Sequence, residues 1–327
     1  KKCLTVFLLQ LNMWKKNIYN MKKELGIIIV DYKSNEKTIS YIKNELYKLI
    51  ISKVIVIVNL CSTNESNIFL NKELESSQIV IDNTPLDFNN GIFILSSKLN
   101  LGYAIANNLG ASFLLKYFEI EYFLFCNNDI KIISLDIIDN LIKKIELNPK
   151  IGCVGPKILG LDGEDQNPHK YISMTQKYFF RNLFMPFINR LKFRFDFNTK
   201  IKNADSGIYY RLSGCFILLK KVDFVKCGMF DENTFLYSEE CILSERLAKI
   251  SKFCYYDSES LIIHEQGVTI KKFLNKKKSL KQEFISDKYY YLNYKKQSNL
   301  IILFNFISFN LFLFLIFIKN SSKRILR

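Results

Sequence analysis

Apolar residues along this chain fall into short unbroken runs, separated by polar stretches in which apolar positions recur at helical spacing. Gly26–Val30, Val54–Val58, Gly91–Leu95 and Tyr122–Cys126 are continuous, β-branched or aromatic, and bounded by polar residues. Strands buried on both faces of a parallel sheet read this way. Between the first two runs, Ile39, Ile42, Leu46, Leu49 and Ile50 share a helical face behind Ser34 or Asn35, either of which can cap a helix. Ala104–Lys116 is expected to be a second helix. Strand, helix and strand in this order predict right-handed crossovers and a mostly parallel α/β sheet. Ligands of open α/β sheets sit beyond the carboxyl ends of the strands, so chemistry is expected just after Val30, Val58, Leu95 and Cys126.

Two segments depart from the pattern. Residues 163–205 are basic and aromatic, with Lys177-Tyr178-Phe179-Phe180-Arg181 followed by Arg190 and Arg194. They read either as a partly helical insertion resting on a membrane surface or as a lid packed on the core. Leu300–Ile318 is apolar except for Asn305, Ser308 and Asn310. At ~1.5 Å per residue such a helix is roughly 28 Å long, near the ~30 Å hydrocarbon core of a bilayer. It is expected to span or embed in a membrane, the other reading being a buried core helix. The organisation expected is an N-terminal extension (1–23), an α/β domain (24–295) and a membrane-associating helix with a basic tail (296–327).

The 327 residues carry 47 basic and 31 acidic side chains, a net charge of +16. Only seven of the basic residues are arginine, the side chain that reads phosphates and bases bidentately, so no nucleic-acid partner is expected. An anionic membrane surface or substrate attracts the same charge. Two histidines leave little room for a multi-histidine metal site, and the eight cysteines contain no C-x-x-C pair. A zinc ribbon or disulfide framework is not expected, and a reduced cytosolic compartment fits better.

Candidate chemistry is spread over four places. Asn127-Asn128-Asp129 follows a strand directly and offers oxygen ligands for a hard divalent ion, though the composition also suits a plain turn. Asn100 to Gly110 combines a glycine that lets backbone approach a ligand with amides at a helix start, or is a glycine-marked turn. Glu239-Glu240 follows the aromatic run Phe235-Leu236-Tyr237, and is either a partly desolvated general base or an acidic first turn of a helix. His264 ends a strand-like run and is either structural or a ligand.

Taken in order, these motifs resemble the inverting family-two glycosyltransferases, in particular a bacterial rhamnosyltransferase-like branch. The residues carrying the resemblance are Asp31-Tyr32-Lys33, Asn100–Asn108, Asn127–Asp129, Gly155-Pro156-Lys157, Ser213-Gly214-Cys215, Gly228–Glu240, Arg246 and His264–Thr269, spanning about residues 24–295. The resemblance implies a GT-A fold, a nucleotide-diphosphate-sugar donor, a divalent cofactor (Mg2+ or Mn2+) and single-displacement inversion. It implies a metal at Asp129, with His264 near the metal or diphosphate. Donor contacts would come from Asp31, Tyr32, Asn59, Asn100, Gly102, Tyr103, Asn107, Asn127, Asn128 and Gly214. Glu240 would be the base, with Glu239 in reserve. The acceptor would be a glycan or lipid-linked molecule, met at the cytoplasmic face of the membrane during cell-surface polysaccharide synthesis.

The chain departs from the family pattern at Glu240, where an aspartate is usual, and at Ile242, where an acid is usual. It departs again at Asn59 and Leu60 in the second strand, and at Lys33. The alternative these departures raise is a degenerate donor-binding or scaffold subunit.

Overall fold

The computed structural model describes residues 21–22, 24–81, 85–184, 199–265 and 276–325. The four apolar runs form strands β1 (Leu25–Tyr32), β2 (Lys53–Leu60), β4 (Ile92–Ser97) and β5 (Tyr122–Cys126), with β3 (Ser77–Ile79) as a short edge. Helices α1 (Asn35–Asn44), α2 (Asn64–Glu73) and α3 (Gly102–Tyr117) connect them. The second half adds β6 (Ile130–Ile132), α4 (Ile137–Leu147), β7 (Ile151–Gly160), β8 (Gly207–Tyr209), β9 (Phe216–Lys220), α5 (Lys221–Lys226), α6 (Glu239–Lys249) and β10 (Phe253–His264). Two long helices close the chain, α7 (Lys276–Asn293) and α8 (Asn299–Ile325).

The sheet runs β8-β10-β7-β9-β5-β1-β2-β4-β3, with β6 paired to β10. Strands β3, β4, β2, β1 and β5 are mutually parallel, and the last four are the unbroken apolar runs, which suit strands buried on both faces. The chain moves outward from β1 on one side through β2 and returns to its other side at β5, so the topological switch point lies between β1 and β5. There the sheet changes character, because β9 pairs antiparallel with β5, Phe216 opposite Cys126. That pairing carries Gly214 and Cys215 to the end of β5, beside Asn127.

Alternate residues of the central strands feed two cores. Ile27, Ile29, Ile55 and Ile57 face α1 and α4, through Ile39, Ile42, Ile138, Leu141 and Ile145. Ile28, Val56 and Val58 face α3, through Ala104, Ala111 and Leu114. Each such side chain, fully buried, contributes ~1.5–3 kcal/mol of transfer free energy, so both faces of the sheet are held where the site residues emerge. The helix expected to reach Ile50 stops earlier. It ends at Asn44, the chain turns tightly over Leu46–Lys48, and Ile50 is left 99% exposed, because the tighter turn rotates it off the apolar face.

A third cluster joins the C-terminal helices to the domain. Met174, Tyr178 and Ile242 pack with Phe284, Tyr290, Ile302 and Phe309, and the Phe284 and Phe309 rings stack with centroids 4.6 Å apart. Met174 and Tyr178 thus bring part of the basic, aromatic segment onto the core, and Gln176–Phe184 is π-helical. Residues 185–198 of that segment, residues 1–20 and 23 of the expected extension 1–23, and the motif residues Gly267 to Thr269 lie outside the described residues. Helix α8 buries Ile302 and Phe309 but leaves Leu300, Leu303, Phe306, Ile307 and Phe314 exposed. Its stretch Asn299–Ile316 is long and apolar enough to cross a membrane, with a mean hydropathy of 2.2.

Candidate active site

Asp31, near the end of β1, is fully buried. Its Oδ1 accepts from the Ser34 amide and hydroxyl, and its Oδ2 from Asn35 and Thr38. Ser34 therefore spends its hydroxyl on Asp31 and not on capping α1. Asn128 completes the knot, its amide donating to both Ser34 Oγ (2.8 Å) and Thr38 Oγ1 (2.7 Å). Asn59, opposite Asp31 on β2, donates to Asn67 and Ser66 and accepts from Asn35. Buried amides and carboxylates bonded this fully are organisers. Asp31, Asn59 and Asn128 hold the strand ends in place, and their side chains face inward. Tyr32 is partly exposed beside them.

The glycine loop before α3 meets the acidic segment before α6. Asn100 Oδ1 accepts from the Gly102 amide (3.1 Å) and Tyr103 N donates to Phe235 O (3.0 Å), so two of the helix's first amides are satisfied. Gly102 has φ +75°, and a Cβ there would lie 2.2 Å from the Phe235 carbonyl oxygen. Gly102→Ala is therefore expected to destabilise the fold by about 2–5 kcal/mol, from left-handed strain plus overpacking against backbone. Chemical denaturation checks this, and a loss within 1 kcal/mol would mean the two loops are free to separate. The Tyr103 hydroxyl donates to Gly214 O (2.7 Å), and the Gly214 amide donates to Glu240 Oε1 (3.0 Å). A Cβ on Gly214 would sit 2.9 Å from that Oε1 and 3.0 Å from the Tyr103 hydroxyl, so only glycine admits both. Asn107 turns back onto its own helix at Tyr103 O, whereas Asn108 ties α3 to Phe230 and Glu232.

On the other side of Gly214, the Cys215 carbonyl accepts from the Asn127 amide (2.9 Å). Asp129 follows, its buried Oδ1 accepting no well-formed hydrogen bond, with His264 Nε2 at 3.2 Å. Gln166 Oε1 lies 2.8 Å from His264 Nδ1. Since that oxygen only accepts, the ring proton belongs on Nδ1 and Nε2 is directed at Asp129. Burial disfavours the imidazolium, but Cys215 and Asp129 outweigh it and lift the His264 pKa to about 10, so without a metal Nε2 carries a proton as well, which a divalent ion would displace on binding. An orphaned carboxylate oxygen beside an imidazole nitrogen is a donor set that Mn2+ or Mg2+ accepts when substrate phosphates supply the remaining oxygens. The described residues contain no cluster of three or more His, Cys, Asp or Glu side chains that could hold a metal ion; Asp129 and His264 form a pair.

The two glutamates differ. Glu239 is buried, and burial, then the neighbouring Glu240 charge, push its carboxyl well above the usual range. Glu240 is partly exposed, its Oε1 fixed by Gly214. The backbone delivering them is strained, with Tyr237 (φ +74°) and Ser238 (φ +67°) both left-handed. Ser238 is held by Asp287 (2.6 Å), and Tyr237 by Ser279. Consecutive non-glycine residues in this region cost about 1–3 kcal/mol each and persist where surroundings enforce them, typically at functional sites. Arg246 secures the preceding loop, pairing with Asp231 (3.1 Å) and donating to the Met229 carbonyl (2.9 Å).

Asp129, His264, Gly214, Tyr103, Gly102 and Glu240 thus converge around one turn, Gly214-Cys215. Sequence reasoning missed Gln166, which orients His264, and Asn167, whose side chain holds Ser213 N and Pro156 O. Only their neighbourhood to the strand ending at Gly160 could have signalled them.

No protein-family model and no curated protein sequence matches this chain. Solved structures do. A mannosyltransferase from Pyrobaculum calidifontis in complex with GDP-Man and Mn2+ superposes with TM-score 0.49 and 12% identity, over 86% of this chain and 71% of its own. GalNAc-T7 with UDP, GalNAc and Mn2+ superposes with TM-score 0.50 and 11% identity, over 85% of this chain and 52% of its own. This chain therefore spans about half the length of that protein. The likeness is one of fold: the mixed sheet with its switch point at Asp129 has the GT-A architecture.

Proposed function

We propose that this protein is a glycosyltransferase that moves a sugar from a nucleotide-diphosphate donor to a glycan or lipid-linked acceptor with inversion, as in the rhamnosyltransferase-like branch of family two. The observation carrying this reading is the pair Asp129–His264, 3.2 Å apart at the switch point, with Glu240 across Gly214. The UDP, GalNAc and Mn2+ held by the structural neighbour GalNAc-T7 are in keeping with it.

In this reading the donor lies over the ends of β1, β2 and β5, its nucleotide against Tyr32, Asn100, Gly102 and Tyr103. Asp31, Asn59, Asn107 and Asn128 fix the loops that receive it. Asp129 Oδ1 and His264 Nε2 would hold the divalent ion, which supplies positive charge for the leaving diphosphate. Gln166 keeps the imidazole turned toward Asp129. Glu240 uses Oε1 to accept from Gly214, leaving Oε2 to take the proton of the acceptor hydroxyl. That oxygen forms its bond to the anomeric carbon as the bond to the diphosphate breaks. Domain boundaries at about 24 and 295, with the open face of α8 against lipid on the cytoplasmic side, belong to the same proposal.

The test is a thermal-shift panel of nucleotide sugars with and without Mn2+. A bound donor at 100 times its Kd adds about 2.7 kcal/mol of stability, and that gain is expected only when Mn2+ is present. Failure of every nucleoside diphosphate to bind, with or without metal, would sink the reading.

A further inference from the structure

Behind Glu240 lies a cavity of about 40 Å³ whose walls include Tyr171, Tyr210, Arg211, Cys241, Asp287 and Tyr290. Cys241 adjoins Glu240 in α6, Arg211 lies three residues before Gly214, and the Glu240 charge acts on Arg211, so the cavity lies near the proposed base.

Of the charged side chains lining it, Lys170, Lys177 and Asp287 are partnered, and Arg211 stands apart. Lys177 pairs with Asp287 and with Glu283 (2.6 Å), and Asp287 also accepts from Tyr178 and Ser238. The Tyr210 hydroxyl donates to Glu245 (2.7 Å), which Lys295 also reaches at 3.0 Å. Arg211 is different. Its backbone exchanges hydrogen bonds with His169 in both directions (3.0 and 3.3 Å), which fixes the root of the side chain. Its guanidinium makes no hydrogen bond or ion pair among the described residues, although it is only partly exposed. His169 cannot share the charge, because burial, with Arg211 and Lys200 nearby, holds its imidazole well below the usual pKa.

A guanidinium with no hydrogen-bond acceptor among the described residues, near Glu240 and Asp287 but bonded to neither, has up to five donors to offer a ligand in this tyrosine-lined cavity. At about 10–15 Å³ for each water-sized sphere, the space holds roughly three of them, the size of a phosphate or carboxylate head and too small for a sugar ring. Planar oxyanions are what this fork binds bidentately.

We propose that Arg211 is the oxyanion-binding residue of the acceptor side, seating a phosphate or carboxylate carried by the acceptor in the cavity beside Cys241. The proposal rests on the glycosyl-transfer reading and specifies its acceptor as anionic. Such a group would anchor the acceptor so that its hydroxyl reaches Glu240.

The test is calorimetric titration of inorganic phosphate and of acetate into the full chain with Mn2+ and saturating UDP or GDP, so that the donor side is filled. Phosphate or acetate is expected to bind the parent protein and to weaken about 10–100-fold in Arg211→Gln, with Arg211→Lys intermediate. Nucleoside-diphosphate affinity measured on the same variants shows that they are folded, and its loss in the parent protein would be a failure of the glycosyl-transfer reading alone. A long-chain alkyl phosphate binding more tightly than a hexose phosphate would identify the source as a lipid carrier. The reverse order would identify a glycan. Equal oxyanion affinity in all three proteins, or none in the parent, overturns the proposal.

Discussion

Asp129→Asn is expected to lower Mn2+-dependent sugar transfer by about 10³-fold or more. The figure follows from several kcal/mol of leaving-group stabilisation, at 1.36 kcal/mol per tenfold in rate. Asn keeps the shape of the side chain, and apart from the pair with His264 the described contacts around it do not depend on its charge. The Asp129 carbonyl still accepts from Glu265 N, and the strand ends are held by Asp31, Asn59 and Asn128. What disappears is the charged oxygen whose one close neighbour of opposite character among the described residues is His264 Nε2. The variant should therefore fold and lose the extra stability that Mn2+ confers in the presence of donor. Transfer within tenfold of the parent rate, in reactions with and without chelator, would remove Asp129 from the site.

The parallel half of the sheet was legible because buried parallel strands leave unbroken apolar runs. The runs near Gly26, Val54, Gly91 and Tyr122 became β1, β2, β4 and β5 within a residue or two at each end. The antiparallel insertion of β9 was not legible, since Phe216–Lys220 is just as apolar and a run carries no strand direction. Nor was the full length of β10. The Ser260–Ile263 run is the end of a twelve-residue strand, interrupted in its middle by the polar stretch Asp257-Ser258-Glu259. The site divides the same way. Gly102 and Asp129 stood out through local motifs that resemble a family. The contacts that make them a site join Tyr103 to Gly214 and Gln166 to His264, at separations no local pattern encodes. Asn59 and Asn107 show the converse. Motif position marked them as donor contacts, while the structure turns Asn59 toward α2 and Asn107 onto its own helix.

Glu240→Gln is expected to cut kcat by about 10²–10⁴-fold, the range for loss of a positioned general base, with KM for the donor little changed. The amide retains an oxygen for the Gly214 N–H, so the Gly214-Cys215 turn and the Asp129–His264 pair behind it stay in place. Donor binding with Mn2+ should survive, which separates loss of chemistry from loss of structure. Glu239→Gln is the control, because its burial gives it a different pH signature. A carboxyl whose folded pKa is raised above its unfolded value contributes most below the unfolded pKa, near 4.5, and loses that contribution as pH rises through the folded pKa. Glu239→Gln should therefore match the parent in stability near pH 4 and exceed it increasingly toward pH 8, while keeping transfer activity. If instead Glu239→Gln abolishes transfer and Glu240→Gln does not, the proton goes to the buried carboxyl, and the strained Tyr237-Ser238 turn serves to bury a base where it would otherwise present one.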